Sequence, residues 1–63
     1  MSVKTAREYL GQRCKVYFED GYGEDIVLNM KIWNVTSAPM YGSFLLGDAY
    51  NVNLEMVRSI EMN

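Results

Sequence analysis

The chain has 63 residues, with six basic and eight acidic side chains, no histidine and one cysteine. These counts exclude an intrachain disulfide, a histidine-based catalytic triad and a Cys/His zinc centre. A net charge of −2 speaks against indiscriminate nucleic-acid binding, which depends on many Lys and Arg neutralising phosphates.

With 49% hydrophobic residues the chain is too apolar to be disordered. It is also so short that folding should hide only about 60% of the surface its unfolded form exposes. Small domains often make up the difference by association, so the sequence points to a homo-oligomer. No apolar run follows a basic stretch at the N-terminus, and no segment has the roughly 20 apolar residues of a membrane helix. The expectation is one cytoplasmic domain over residues 1–63 without a membrane partner. Asn34-Val35-Thr36 matches a glycosylation sequon, which carries no meaning without a secretory signal.

In chain order, SVKTAREYLGQ predicts a short helix over residues 3–10. Thr5 and Glu8 have capping-box spacing, and Ser2 competes as the N-cap. Val3, Ala6, Tyr9 and Leu10 share a face, with Tyr9 and Leu10 as anchors, and Gly11 ends the helix. From residue 13 the hydrophobic period falls to two. Cys14, Val16 and Phe18 alternate with Arg13, Lys15, Tyr17 and Glu19, which predicts a strand over 13–19. A longer strand is expected over 25–35, with Ile26, Leu28, Met30 and Ile32 inward and Val27, Asn29, Lys31 and Trp33 outward. A strand of that length in a small domain usually bends to serve both sides of a barrel.

Between these strands lies FEDGYGED, four of whose eight side chains are carboxylates. Asp20-Gly21 is a hairpin signal, because glycine supplies the positive φ that tight turns need. The stretch lacks the alternating oxygen ligands and closing glutamate of a calcium loop. It reads as a hairpin loop, with an acidic docking patch and a weak cation site as lesser readings. TSAPMYG, broken by Pro39, predicts an irregular loop presenting Met40 and Tyr41. SFLLG predicts a short buried strand over 43–47. Strands over 50–54 and 57–62 follow, separated by a tight step at Glu55-Met56, with Val57 or Ile60 inward.

The string YLGQRCKVYFEDG, the long second strand and GSFLLGDAYNVNLEMVRSIE together resemble the Sm-like group of small SH3-type barrels. The resemblance covers most of the chain and is one of layout. It implies a mainly β fold: a short helix, then a five-stranded antiparallel SH3-like small barrel. It also implies ring assembly and single-stranded RNA as partner. The family's base-binding motifs, Asp-x-x-x-Asn and Arg-Gly, have no counterpart in NVTSAPMYG or LEMV, so uridine binding is not carried over. The layout also resembles the Rho-binding antiterminator family, which implies a binder that blocks a larger protein.

Nothing predicts catalysis. Cys14 sits on an apolar strand face, where cysteine is usually a small hydrophobe, and no general base or phosphate loop is present. No cofactor or metal is expected. The binding residues predicted are the basic and aromatic strip Arg13, Lys15, Tyr17, Lys31 and Trp33, with Met40 and Tyr41 in the long loop. The first reading is an oligomeric barrel that regulates or occludes a protein partner. Single-stranded RNA or DNA binding is the second. The third is a phage-type small-ligand, nucleotide-holding protein, with Tyr50, Asn51 and Asn53 at a subunit interface.

Overall fold

The computed structural model describes residues 1–63. Helix α1 (Val3–Arg7) is followed by β1 (Arg13–Glu19), β2 (Asp25–Ala38), β3 (Gly42–Gly47), β4 (Asn51–Asn53), a 3₁₀ turn at Leu54–Met56, and β5 (Val57–Met62). The five strands form one antiparallel sheet in the order β4-β3-β2-β1-β5.

Strand β2 organises the molecule because it belongs to two ladders. Asp25 to Lys31 pair with β1, and Ile32 to Ala38 pair with β3. The register shifts between Ile32 and Asn34, leaving Trp33 as an extra residue. Such a bulge bends a strand and changes the phase of its side chains. Upstream the inward residues are the even ones, ending in Met30 and Ile32; downstream the buried residue is Val35. The strand therefore runs three residues past the expected end at 35, its polar tail pairing with β3. Pro39, which has no N–H, then begins the turn. The predicted loop contracts to a hairpin turn closed by the Tyr41 N–H donating to the Ala38 carbonyl.

A second bulge lies opposite Tyr17 and Phe18, where Val57 and Ser59 pair but Arg58 does not. Its effect is that Val57 and Ile60, three residues apart, both face inward, at 5% and 7% exposure. Uninterrupted alternation would have allowed only one of them.

Helix α1 ends at Arg7, earlier than the expected 10, and turns continue to Gly11. Ser2 is the N-cap, its Oγ accepting from the Thr5 N–H at 3.1 Å, so the Thr5–Glu8 capping box does not form. Ala6 is fully buried, and Val3 and Tyr9 pack against the core, whereas Leu10 is exposed and does not anchor the helix. The Gly11 N–H donates to the Ile32 carbonyl and the Ile32 N–H to the Gln12 carbonyl. These bonds tie the end of the helical segment to the bend of β2.

The expected barrel closure is absent: β4 and β5 are the two edges and form no ladder with each other. Strand β4 is only Asn51–Asn53, not 50–54, because Leu54 leaves the strand for the 3₁₀ turn and Tyr50 precedes the first ladder pair. The core between the two halves of the sheet comprises twelve buried residues, with Met30, Ile32, Leu45 and Leu54 the largest of those fully buried. Burying each such side chain contributes roughly 1.5–3 kcal/mol.

Candidate functional site

The outward positions of the sheet divide into two faces of different character. On the half built from β1, β5 and the first part of β2, Arg13 lies opposite Lys31, Lys15 is flanked by Asn29 and Glu61, and Tyr17 by Val27 and Ser59. The predicted residues Arg13, Lys15, Tyr17 and Lys31 are thus together on one face. Of their three cations, one is ion-paired. Arg13 Nη2 pairs with Asp48 Oδ2 at 3.0 Å. Arg58 pairs with Glu19 at 2.9 Å and Asp25 at 3.3 Å. Lys15 lies directly across from Glu61. Four cations (Arg13, Lys15, Lys31, Arg58) and four carboxylates (Glu19, Asp25, Asp48, Glu61) balance in number, but only Arg13 and Arg58 are ion-paired; the ammonium groups of Lys15 and Lys31 make no salt bridge.

The electrostatics follow that pairing. Asp48 accepts the Lys31 backbone N–H at 2.9 Å, and this bond, with help from Arg13, holds its carboxyl below the ordinary value of 3.8. Tyr17 Oη donates to Glu61 at 3.2 Å, which pushes the phenol above its usual 10.0. The hydrogen bond to Glu19, then the charge of Asp25, keeps Arg58 still more firmly protonated.

On the other half, β2 beyond the bend, β3 and β4 present Trp33, Asn34, Thr36, Ala38, Phe44, Leu46, Asn51 and Asn53 outward, and none is charged. Trp33 is 61% exposed and does not pack beneath the helix. The bulge sets it beside Asn34, the residue that pairs with Leu46. SFLLG is not the buried strand that its composition suggests: Leu45 alone is fully buried, while Phe44 and Leu46 are half-buried on the opposite face and outside the core cluster. Trp33 thus stands at the bend, between Lys31 of the charged face and the outward side that Phe44 and Leu46, which sequence reasoning missed, share with Asn34. Met40 and Tyr41 are highly exposed at the tip of the β2–β3 hairpin, away from the predicted strip.

The third feature is the seam where the β1–β2 hairpin approaches β4. Here Tyr50 stacks on Phe18, with ring centroids 6.1 Å apart and an 18° interplanar angle. Phe18, Ile26, Tyr50 and Met56, with Glu19 and Asp20, line an open cavity of about 190 Å³. The acidic loop is built from its own side chain. Asp20 Oδ1 accepts the backbone N–H groups of Tyr22 at 2.7 Å and Glu24 at 3.2 Å, while Gly21 and Gly23 have φ of 92° and 87°. This is the hairpin loop expected from FEDGYGED. Asn51 and Asn53 also edge the cavity, but the Asn53 carboxamide is engaged in capping the 3₁₀ turn through the Glu55 N–H.

Cys14 is fully buried, its Sγ 3.6 Å from the Gln12 carbonyl, and burial pushes the thiol pKa up. A thiol so placed is a poor nucleophile. Comparison with protein-family models, curated proteins and solved structures gives no match.

Proposed function

We propose that this protein is a non-catalytic binding module of SH3-like, Sm-like layout that docks a protein partner through the uncharged outward face of β2, β3 and β4. The observation that carries this reading is the segregation of charge: one outward face holds the charged side chains, the other an exposed tryptophan, two half-buried apolar side chains and amides. Interface centres are depleted of charge and enriched in aromatics, and tryptophan is the residue type most often found as an energetic anchor. The small-barrel layout is supported by the short helix, the Asp20-Gly21 turn, the long bent β2 and the closing strand after a tight turn.

The net charge of −2 and the pairing of Arg13 with Asp48, which leave Lys15 and Lys31 as the unpaired cations of the strip, weigh against single-stranded nucleic acid, because phosphate binding draws on several unpaired cations. A cavity of about 190 Å³ is smaller than the roughly 300–1,000 Å³ of ordinary ligand sites, which weighs against a nucleotide. The test is affinity capture from source-cell lysate with wild type and Trp33→Ala/Leu46→Ser, at low salt and at about 0.5 M, where surface charge is largely screened. A polypeptide retained at both salts by wild type and lost from the double variant supports the reading. Retention of nucleic acid, released as salt rises, overturns it. Self-association abolished by the same variant would identify the occupant as a second copy.

A further inference from the structure

We infer that the open seam between the β1–β2 hairpin and β4 is a second binding site, which takes an extended basic segment of another polypeptide. The segment adds beside β4 and places a Lys or Arg side chain over Tyr50 toward Asp20. Four observations converge here. The outer edge of β4 pairs with no strand, and an unpaired edge is a template for an extended guest. Beside it lies an apolar cavity of about 190 Å³, suited to one long side chain. Its aromatic wall, Tyr50, is 56% exposed although its ring is braced by Phe18, so a ring face is presented ready-made to a cation. The rim is acidic: Glu19 and Asp20 line it, and Glu24 and Asp25 follow in the same hairpin.

These carboxylates are not equally engaged. Glu19 and Asp25 share Arg58, and Asp20 Oδ1 is used by the loop backbone, but Asp20 Oδ2 has no partner. That free oxygen is the group assigned to the incoming cation. A second copy fits the seam less well than a foreign basic segment: Arg13 and Lys15 lie inside the sheet, and Arg58, the cation of the chain's own edge strand β5, is already held by Glu19 and Asp25.

The test is a ¹H–¹⁵N NMR titration of the intact chain with two blocked hexapeptides, Thr-Val-Arg-Val-Arg-Thr and its matched Glu version. The basic peptide should give saturable shifts at Asp20, Tyr50, Asn51 and Asn53 with a Kd below about 1 mM, and the acidic one none. Asp20→Asn keeps the loop acceptor while removing the charge, and should weaken binding about twofold to fivefold, the range of an exposed ion pair. Tyr50→Ala should weaken it by a similar factor. If Tyr50→Ala perturbs the fold, Asp20→Asn decides. Equal responses to both peptides, shifts located elsewhere, or no saturation by several millimolar would overturn the inference. Trp33→Ala should leave this titration unchanged, so failure here is separable from failure at the β2–β4 face.

Discussion

Gly47→Ala is expected to destabilise the protein through a single identifiable clash. Gly47 pairs with Ile32 at the bend of β2, and its missing side chain faces the core. A Cβ built there falls inside van der Waals contact with Met30 Sδ and lies 2.8 Å and 2.9 Å from Cε and Cγ of the same residue. Met30 is fully buried, so although its side chain is pliable it has little room to withdraw. Overpacking of this kind costs about 1–3 kcal/mol. The backbone at Gly47 lies outside the positive-φ region, so alanine incurs no strain there and gains about 0.4–1 kcal/mol by restricting the unfolded chain. With the clash at the middle of its range, about 2 kcal/mol, the net loss is about 1–2 kcal/mol. Typical stability for a 63-residue domain is about 3–9 kcal/mol, so the change is large. Urea denaturation followed by circular dichroism should show a lower midpoint at unchanged slope, and the melting temperature should fall by roughly 4–16 °C. Shortening the clashing partner with Met30→Val should relieve the alanine by about 1 kcal/mol in a double-mutant cycle. A neutral or stabilising Gly47→Ala, or an equal cost in the Met30→Val background, would refute the reasoning.

Three further outcomes follow from the local chemistry. Asp20→Ala should cost about 1 kcal/mol by removing the acceptor for two loop N–H groups, while Asp20→Asn retains most stability; denaturation midpoints of the pair check this. Asp48 is held below its ordinary pKa in the folded protein, so its contribution is complete above about 3.8 and is lost as pH falls through the lower folded value. Wild type should therefore lose more stability than Asp48→Asn on acidification through that window, read from melting temperatures at a series of pH values. Cys14 should resist thiol reagents in the native state and react at the rate at which the fold opens, measured by labelling with and without denaturant.

Much of this fold was readable because period-two alternation is strong where one face of a strand is buried. Cys14, Val16 and Phe18 face the core, as do Ile26, Leu28, Met30 and Ile32, four of these seven with no exposed surface at all. Alternation fails where the backbone changes phase. The bulges at Trp33 and Arg58 are set by ladder register across strands, which no local window of sequence contains. The same limitation hid the uncharged face. A run of three apolar residues, Phe44-Leu45-Leu46, looks wholly buried unless its pairing with β2 and β4 is known. The basic strip was legible as residues sharing a face, but Asp48, which neutralises Arg13 from 35 positions away, was not. Closure does not follow from strand count: the order β4-β3-β2-β1-β5 leaves β4 and β5 as edges, and Asn53, which caps the 3₁₀ turn, marks where β4 ends.

Native mass spectrometry of protein purified from its source background tests the central claim most directly, since it reports subunit number and every retained component together. The account predicts added polypeptide mass in stoichiometric amount, absent when Trp33→Ala/Leu46→Ser is purified in the same way. Stoichiometric oligonucleotide on the wild-type protein, or polypeptide retained equally by the double variant, would contradict it.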